Sequence, residues 1–463
     1  MTRECHILFF VFLLTKIESL GMLLYKEKGI GGLFMRKIIC KTLFALALAF
    51  FLFPSCANAA SSNKASSDFF NNEKLYSTSN LVIDNGSKPF GSSTAAQIVD
   101  SMKFGWNLGN TLDAFSGGNE KNGWNGRNAS LGLKTETCWG MPKTTKEMIA
   151  GIKEKGFSAI RIPVSWHDHI DSKYTIDSAW MSRVKEIVDW SIGEGLYVII
   201  NIHHDNITPS TCTANGHKGY SPASSCINES KRYLYNVWSQ IVLAFNNGYD
   251  ERLIFETINE PRLPGDKHEW NWEAGCSSCK DAAKCINELN QLCLDTIRES
   301  GGNNAKRLVM VPAYVASPGA ALNKAFVMPK DSASGMLALS VHMYSPYNFA
   351  MESPGSKKFT DAHKGDLDYW LGQLNTNFVK KGIPVVIGEM GATNKNNDAE
   401  RAKWFVYYLG KVKSYKMAAC LWDNGQWKVP SSGSFNELFG YYNRSAQTWY
   451  FDDLITKAIQ ARN

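Results

Sequence analysis

The sequence predicts an α/β fold in which eight parallel strands close into a barrel with helices outside. Two observations carry the prediction. Eight short apolar runs follow one another along the chain: Phe104 to Leu108, Ala159 to Val164, Leu196 to Ile202, Leu253 to Ile258, Leu308 to Val311, Leu337 to Val341, Pro384 to Ile387 and Ala418 to Trp422. Amphipathic helical patterns separate several of them, at Thr145 to Glu154, Trp180 to Ile192, Ser230 to Phe245, Ile286 to Glu299, Leu367 to Lys380 and Ala399 to Val412, and a last one, Leu454 to Ile459, closes the chain. Apolar strands alternating with helices require a parallel sheet covered on its faces, and eight such units point to a (β/α)8 TIM barrel. An open doubly wound sheet is the alternative, but no Gly-x-Gly-x-x-Gly follows the first run.

The chain of 463 residues is long enough for one large barrel, and residues 85 to 463 are expected to form a single catalytic domain. Upstream, Met35-Arg36-Lys37 opens a basic segment, Leu43 to Phe53 is apolar, and Ala57-Asn58-Ala59 offers a small-x-small cleavage site. These are the three parts of a secretory signal peptide, with a core too short to span a membrane comfortably. Residues 1 to 59 are therefore expected to be an upstream segment plus signal, with translation starting at Met35, and residues 60 to 84 a flexible lead-in rich in Ser, Asn and Lys. A single membrane anchor is the competing reading, and Cys56 lacks a good lipobox. Of eleven cysteines, Cys5, Cys40 and Cys56 fall in the segment to be removed. The remaining even number suits disulfides in an exported chain, with Cys212 and Cys226 bracketing a Gly/Ser/Thr-rich loop and a cluster running from Cys276 to Cys293. The formal charge of +7 is scattered with no basic stripe, which argues against nucleic acid. Fourteen Trp are a generous supply of flat faces for sugar rings.

In a parallel barrel the residues just past each strand share one face. Here they are Asn107 to Asn110, His203-His204-Asp205, Asn259-Glu260, His342-Met343-Tyr344, Glu389 and Trp422-Asp423-Asn424, with Arg161 inside the second run. Glu260 and Glu389 each end an apolar run, where a carboxylate is costly to desolvate, so the pair suggests acid/base and nucleophilic work on a glycosidic bond. Arg161 can hold one carboxylate ionised and Tyr344 can donate to it. Asn259 can bond a sugar hydroxyl, the histidines offer neutral donors and acceptors, and Trp422 offers a platform. A metal pair at His203-His204 is disfavoured because neighbours on a strand point to opposite faces. For each residue alone the structural alternative stands, a salt bridge for either Glu or for Arg161 and core packing for Trp422.

Gly105-Trp106-Asn107-Leu108-Gly109-Asn110, Ile160 to Val164, Ile202-His203-His204, Ile258-Asn259-Glu260-Pro261, His342-Met343-Tyr344, Ile387 to Gly391 and Leu421 to Gly425 together resemble glycoside hydrolase family 5, over residues 85 to 460. Asn110 to Ala114 and Glu136 to Gly140 are similar to secreted bacterial endoglucanases that also accept xyloglucan and related glucans. The resemblance implies a secreted, retaining endo-β-1,4-glucanase that needs no cofactor or metal and acts on β-glucan polysaccharide, as a monomer free of the membrane after signal cleavage. It implies Glu260 as general acid/base and Glu389 as nucleophile, about 5 Å apart as retention requires. Arg161, His203, Asn259, His342, Tyr344 and Trp422 would frame the sugar, with Asn107 and His204 more peripheral. The stretch from Trp270 to Cys293 departs from the pattern and leaves the substrate open among cellulose, mixed-linkage glucan, xyloglucan, xylan and mannan. A non-catalytic glycan-binding homologue and a metal-dependent hydrolase are the rival classes.

Overall fold

A computed structural model of the chain describes residues 73–116, 129–212, 218–431 and 437–463. The expected signal peptide, with Met35 and the cleavage site, lies outside the described residues. Eight strands, β1 (Phe104–Asn107), β2 (Ala159–Ile162), β3 (Tyr197–Asn201), β4 (Leu253–Glu256), β5 (Val309–Pro312), β6 (Leu337–His342), β7 (Val385–Met390) and β8 (Ala418–Leu421), pair in parallel in chain order. β8 returns to β1 through Gly105 opposite Cys420, which closes the barrel. Most strands stop short of the apolar runs that announced them. β2, for example, ends before Pro163, which has no N–H to continue the ladder. The helices between them run Lys146–Lys155, Ser178–Gly193, Ile227–Ala244, Ser277–Glu299, Asp361–Asn377 and Asp398–Ser414, and Asp452–Arg462 ends the chain.

One helix had no strong periodic signal in the sequence. Ala95–Met102 is opened by a capping box in which Thr94 and Gln97 bond reciprocally. Its Ala95, Ile98, Val99 and Met102 pack with Ala159, Ile199, Ile254, Met310, Ala338, Val386 and Ala418, the first inward residues of seven strands. The helix therefore plugs the barrel at its N-terminal end and leaves the opposite end for chemistry.

Alternation along each strand places the next inward residue two positions on. On five strands that place is polar: Asn107, Arg161, Asn201, Glu256 and Ser340 are all buried. β7 breaks the alternation. Val341 pairs with Ile387 but His342 pairs with Glu389, so Gly388 is an extra residue, a bulge. With Val386 inward, regular alternation would send Glu389 outward; the bulge turns it into the barrel mouth. A Cβ on Gly388 would sit 3.2 Å from His342 Nε2, so only glycine fits there without displacing that ring.

One expectation needs correction, and the expected disulfides are not formed. Among the described residues Cys138, Cys212, Cys226, Cys276, Cys279, Cys285, Cys293 and Cys420 are unpaired, yet Cys212 and Cys226 lie side by side, Cys212 Sγ 3.7 Å from the Cys226 carbonyl, as the expected loop staple requires. Cys279, Cys285 and Cys293 are buried along one helix, Ser277–Glu299, and serve it as small apolar residues; Cys420 is walled into the barrel core. The cysteine-bearing stretch is thus mostly an extended helix following β4. The lead-in is tied down from Glu73 onward: Leu75 N–H donates to Asn236 Oδ1 at 2.8 Å, and the Asp84 carboxylate accepts from Asn246 and Gly248 N–H at 2.7 Å each. Backbone groups with such partners stay ordered, whatever the composition around them.

Candidate active site

Arg161, fully buried in the middle of β2, organises the barrel mouth. Its Nε and Nη2 both donate to Glu256 Oε2, at 2.9 and 2.7 Å. Nη1 donates to Asn107 Oδ1 at 3.0 Å and to Glu389 Oε1 at 2.8 Å, and Nη2 also reaches Asn259 Oδ1 at 2.7 Å. A guanidinium has five N–H bonds, and every one is taken. Two carboxylates beside it hold the Arg161 charge firmly in place, their attraction outweighing the burial that opposes it.

Both oxygens of Glu389 accept, Oε1 from Arg161 and Oε2 from the Tyr344 hydroxyl at 2.9 Å. Burial keeps that hydroxyl protonated by raising it well above the phenol range. Glu260 instead meets His342: Nδ1 lies 2.6 Å from Glu260 Oε1 and 3.5 Å from Glu389 Oε2. Burial raises the Glu389 carboxyl above the usual range, opposed by His342 and Arg161. Burial acts on Glu260 too, but the His342 contact outweighs it and leaves that carboxyl below the usual range. His342 is raised in turn, the two carboxylates overcoming its desolvation. Glu260 and His342 thus hold one proton between them, and the site titrates as a group. One oxygen of each carboxyl and one His342 nitrogen all lie within 4.8 Å of one another.

His203 and His204 form the next wall. Asn201 Nδ2 lies 3.1 Å from His203 Nδ1 and donates to Glu256 Oε2 at 2.8 Å. His203 stacks parallel to Trp422 with ring centroids 5.9 Å apart, and burial keeps it neutral by pushing it well below the imidazole range. The two histidine rings lie 4.4 Å apart on one side, not on opposite faces, because β3 has ended at Asn201. Asp113 approaches the same cluster, its Oδ2 lying 4.0 Å from His204 Nε2, and burial raises its carboxyl to about 6. Phe115 and Trp139 extend the wall, with ring centroids 5.8 and 5.5 Å from His204.

The expected residues therefore converge, with one change of part. Asn107 is buried and its amide is spent: Nδ2 donates to the carbonyls of Gly388 and Leu421 and Oδ1 accepts from Arg161, so it braces strands and does not meet a sugar. Glu256, Asn201 and Ser340 were missed by the sequence reading, although polar residues spaced by two inside apolar strands were visible there. Trp270 was seen only as part of the departing stretch. It is 56% exposed and stacks on the Arg262 guanidinium at 4.0 Å, while Arg262 Nη1 donates to the Glu260 carbonyl. A cavity lined by Asp84, Lys185, Asp189, Tyr249 and Arg252 lies at the far end of β4 from Glu260.

The sequence profile described as Cellulase (glycosyl hydrolase family 5) matches residues 122–428. Endoglucanase A of Ruminococcus albus is 38% identical over 373 residues, which span 79% of this chain and 92% of that protein. Endoglucanase A of Clostridium longisporum is 39% identical over 78% of this chain; the match spans 64% of its length. Among solved structures, a GH5-4 broad specificity endoglucanase from Ruminococcus champanellensis with bound cellotriose superposes with a TM-score of 0.70 at 39% identity, covering 80% of this chain and all of that one. A GH5 family lichenase from Caldicellulosiruptor sp. F32 gives 0.72 at 38% identity, covering 82% of this chain and 98% of that one. With its barrel, its ordered strand-end motifs and these matches, the chain belongs to glycoside hydrolase family 5.

Proposed function

We propose that the protein is an endo-β-1,4-glucanase that cleaves internal bonds of β-glucans by double displacement, with Glu389 as nucleophile and Glu260 as general acid/base. The observation that carries this reading is the closeness of the two carboxyls, within 4.8 Å oxygen to oxygen. Inverting enzymes hold their carboxyls roughly 6.5–9.5 Å apart to admit a water, whereas retaining ones use about 5–5.5 Å. In the first step a Glu389 oxygen attacks the anomeric carbon as Glu260 gives its proton to the departing glycosidic oxygen. The C–O bond breaks and the leaving chain departs as an alcohol. Water then loses a proton to Glu260 and attacks the same carbon, releasing Glu389 and restoring the proton. Two inversions give retention.

The surrounding residues suit this division. Arg161 and Tyr344 both donate to Glu389, which favours its ionised, attacking form. The proton needed by the leaving group is the one shared between His342 and Glu260. Asn259 commits Oδ1 to Arg161, so its amide hydrogens are the side that meets a sugar hydroxyl. Trp422, His203, His204 and Trp139 would carry the glycone, and Trp270, beside the Glu260 backbone, the departing chain.

The same reading takes the enzyme to be exported and to act as a monomer; among the described residues no helix is long and apolar enough to cross a membrane. Asp113, His203 and His204 bring ligand-type atoms within 4.8 Å of one another. A chelator should nonetheless leave the rate unchanged, since the mechanism routes no step through a metal. Proton NMR of the first product anomer tests the mechanism, and an initially inverted anomer would refute it. Initial rates on soluble cellulose, mixed-linkage glucan, xyloglucan, xylan and mannan define the substrate.

A further inference from the structure

Glu256 is a carboxylate of the barrel mouth that cannot touch a substrate. It has no exposed surface and ends β4, four residues before Glu260. Four hydrogen bonds converge on it. Oε2 accepts from Arg161 Nε and Nη2 and from Asn201 Nδ2, at 2.9, 2.7 and 2.8 Å, and Oε1 accepts from Ser340 Oγ at 2.5 Å. A buried charge so fully solvated by the protein persists only where its surroundings are built for it. Those surroundings lead outward along two branches. Arg161 connects Glu256 to Glu389 and Asn259; Asn201 connects it to His203.

We propose that Glu256 is the positioning residue of this site: it shares the Arg161 charge with Glu389 and so sets the basicity of the nucleophile, and through Asn201 it selects the His203 tautomer that faces the sugar. The first branch follows from charge. One guanidinium serves two carboxylates at nearly equal distance, 2.7 Å to Glu256 and 2.8 Å to Glu389. Without the inner one, the full attraction falls on Glu389 and makes it a weaker base and a poorer nucleophile. The second branch follows from donor direction. Asn201 Oδ1 accepts from Val164 N–H and its Nδ2 gives one hydrogen to Glu256, so the other points at His203 Nδ1. A neutral His203 that accepts at Nδ1 carries its proton on Nε2 and presents it as a donor.

The proposal rests on Glu389 being the nucleophile, and the test separates the two. Glu256→Gln is nearly isosteric: its amide oxygen can keep the three bonds at Oε2 while the Ser340 hydroxyl turns to accept from the amide nitrogen. The groups facing Glu389 that also titrate or carry charge are Arg161 from β2, Glu260 beyond β4, His342 from β6, Tyr344 just beyond it and the Cys420 thiol from β8, which burial pushes up to about 12. All remain in the variant. The acid limb of kcat/KM should move down by about one pH unit, and kcat on an activated aryl β-cellobioside, whose departure needs no acid, should fall about tenfold with KM little changed. Glu256→Asp restores the charge and should return the acid limb to its original place. A folded Glu256→Gln enzyme with the original limb and kcat overturns the proposal, whereas an active Glu389→Gln enzyme overturns the underlying assignment. Neutron diffraction of the unmodified enzyme at pH 6 reads the same wiring if the variant does not fold. Bare Glu256 oxygens and a deuteron on His203 Nε2 are expected; a deuteron on Glu256 or on His203 Nδ1 refutes it.

Discussion

Tyr344→Phe removes one oxygen from the site and little else. The ring packs on Phe439, with centroids 5.3 Å apart, so a phenylalanine keeps the same seat. What is lost is the hydroxyl that donates to Glu389 Oε2 at 2.9 Å. A hydrogen bond to a charged acceptor contributes about 1.5–3 kcal/mol, and each 1.36 kcal/mol is one pKa unit. The bond favours the ionised carboxylate, so its loss should raise the Glu389 titration by about 1–2 units. Tyr344 is only half-buried, and cleft water can replace part of the donation, which brings the expectation to about one unit. Attack requires ionised Glu389, so activity on the acid side should vanish at a pH about one unit higher than in the unmodified enzyme. The assay is kcat/KM against pH on a soluble glucan, with a thermal melt to show that the fold is intact. An acid limb that stays in place, or moves down, would mean that Glu389 does not govern it.

Other outcomes follow from the same geometry. Glu389→Gln should lower kcat by roughly ten-thousandfold or more while cellotetraose binding by calorimetry persists. Glu260→Gln should lose activity on polysaccharide yet recover much of its first-step rate on a dinitrophenyl β-cellobioside, because that leaving group departs unprotonated. The pH profile of the unmodified enzyme should be a bell: its acid limb lies above the ordinary glutamate range because Glu389 is raised, and its alkaline limb lies above the ordinary imidazole range because His342 is raised and holds the shared proton until then. Trp180→Ala should cost about 3–5 kcal/mol in urea unfolding, since the ring is fully buried and stacks on His169 at 3.6 Å, yet leave kcat unchanged.

The barrel was legible because its strands are apolar runs of countable number and its chemistry sits just beyond them. Glu260, Glu389, His342 and Tyr344 could be named since a polar residue after such a run has one destination, and Arg161 because a charge inside one needs a partner. Two kinds of information were not available in this way. Burial of Asn107 depends on Gly388 and Leu421 across the barrel, far away in the chain, so its bracing part is a property of closure. The short helix Ala95–Met102 has too few turns for its pattern to stand out, although Thr94 and Gln97 had the spacing of a cap. The cysteines are a third case. Their even count fits an oxidised framework, but burial within one helix and inside the barrel accounts for four of them without any pairing.

The extra residue in β7 has a consequence for how this enzyme can change. Elsewhere in the mouth, the aim of a side chain follows from the parity of its strand, and a substitution alters the group while the direction stays. At Glu389 the position depends on the bulge, since Gly388 supplies the extra residue that carries it past the regular inward place. Loss of that single codon would restore plain alternation and seat Glu389 in the inward place of Gly388, where its Cβ would press on the His342 ring at 3.2 Å and the carboxylate would lose its present position. The nucleophile is thus tolerant of neighbours changing their chemistry and intolerant of a change in strand length. Deletion scanning of 385–390 against activity in folded protein would reveal that asymmetry.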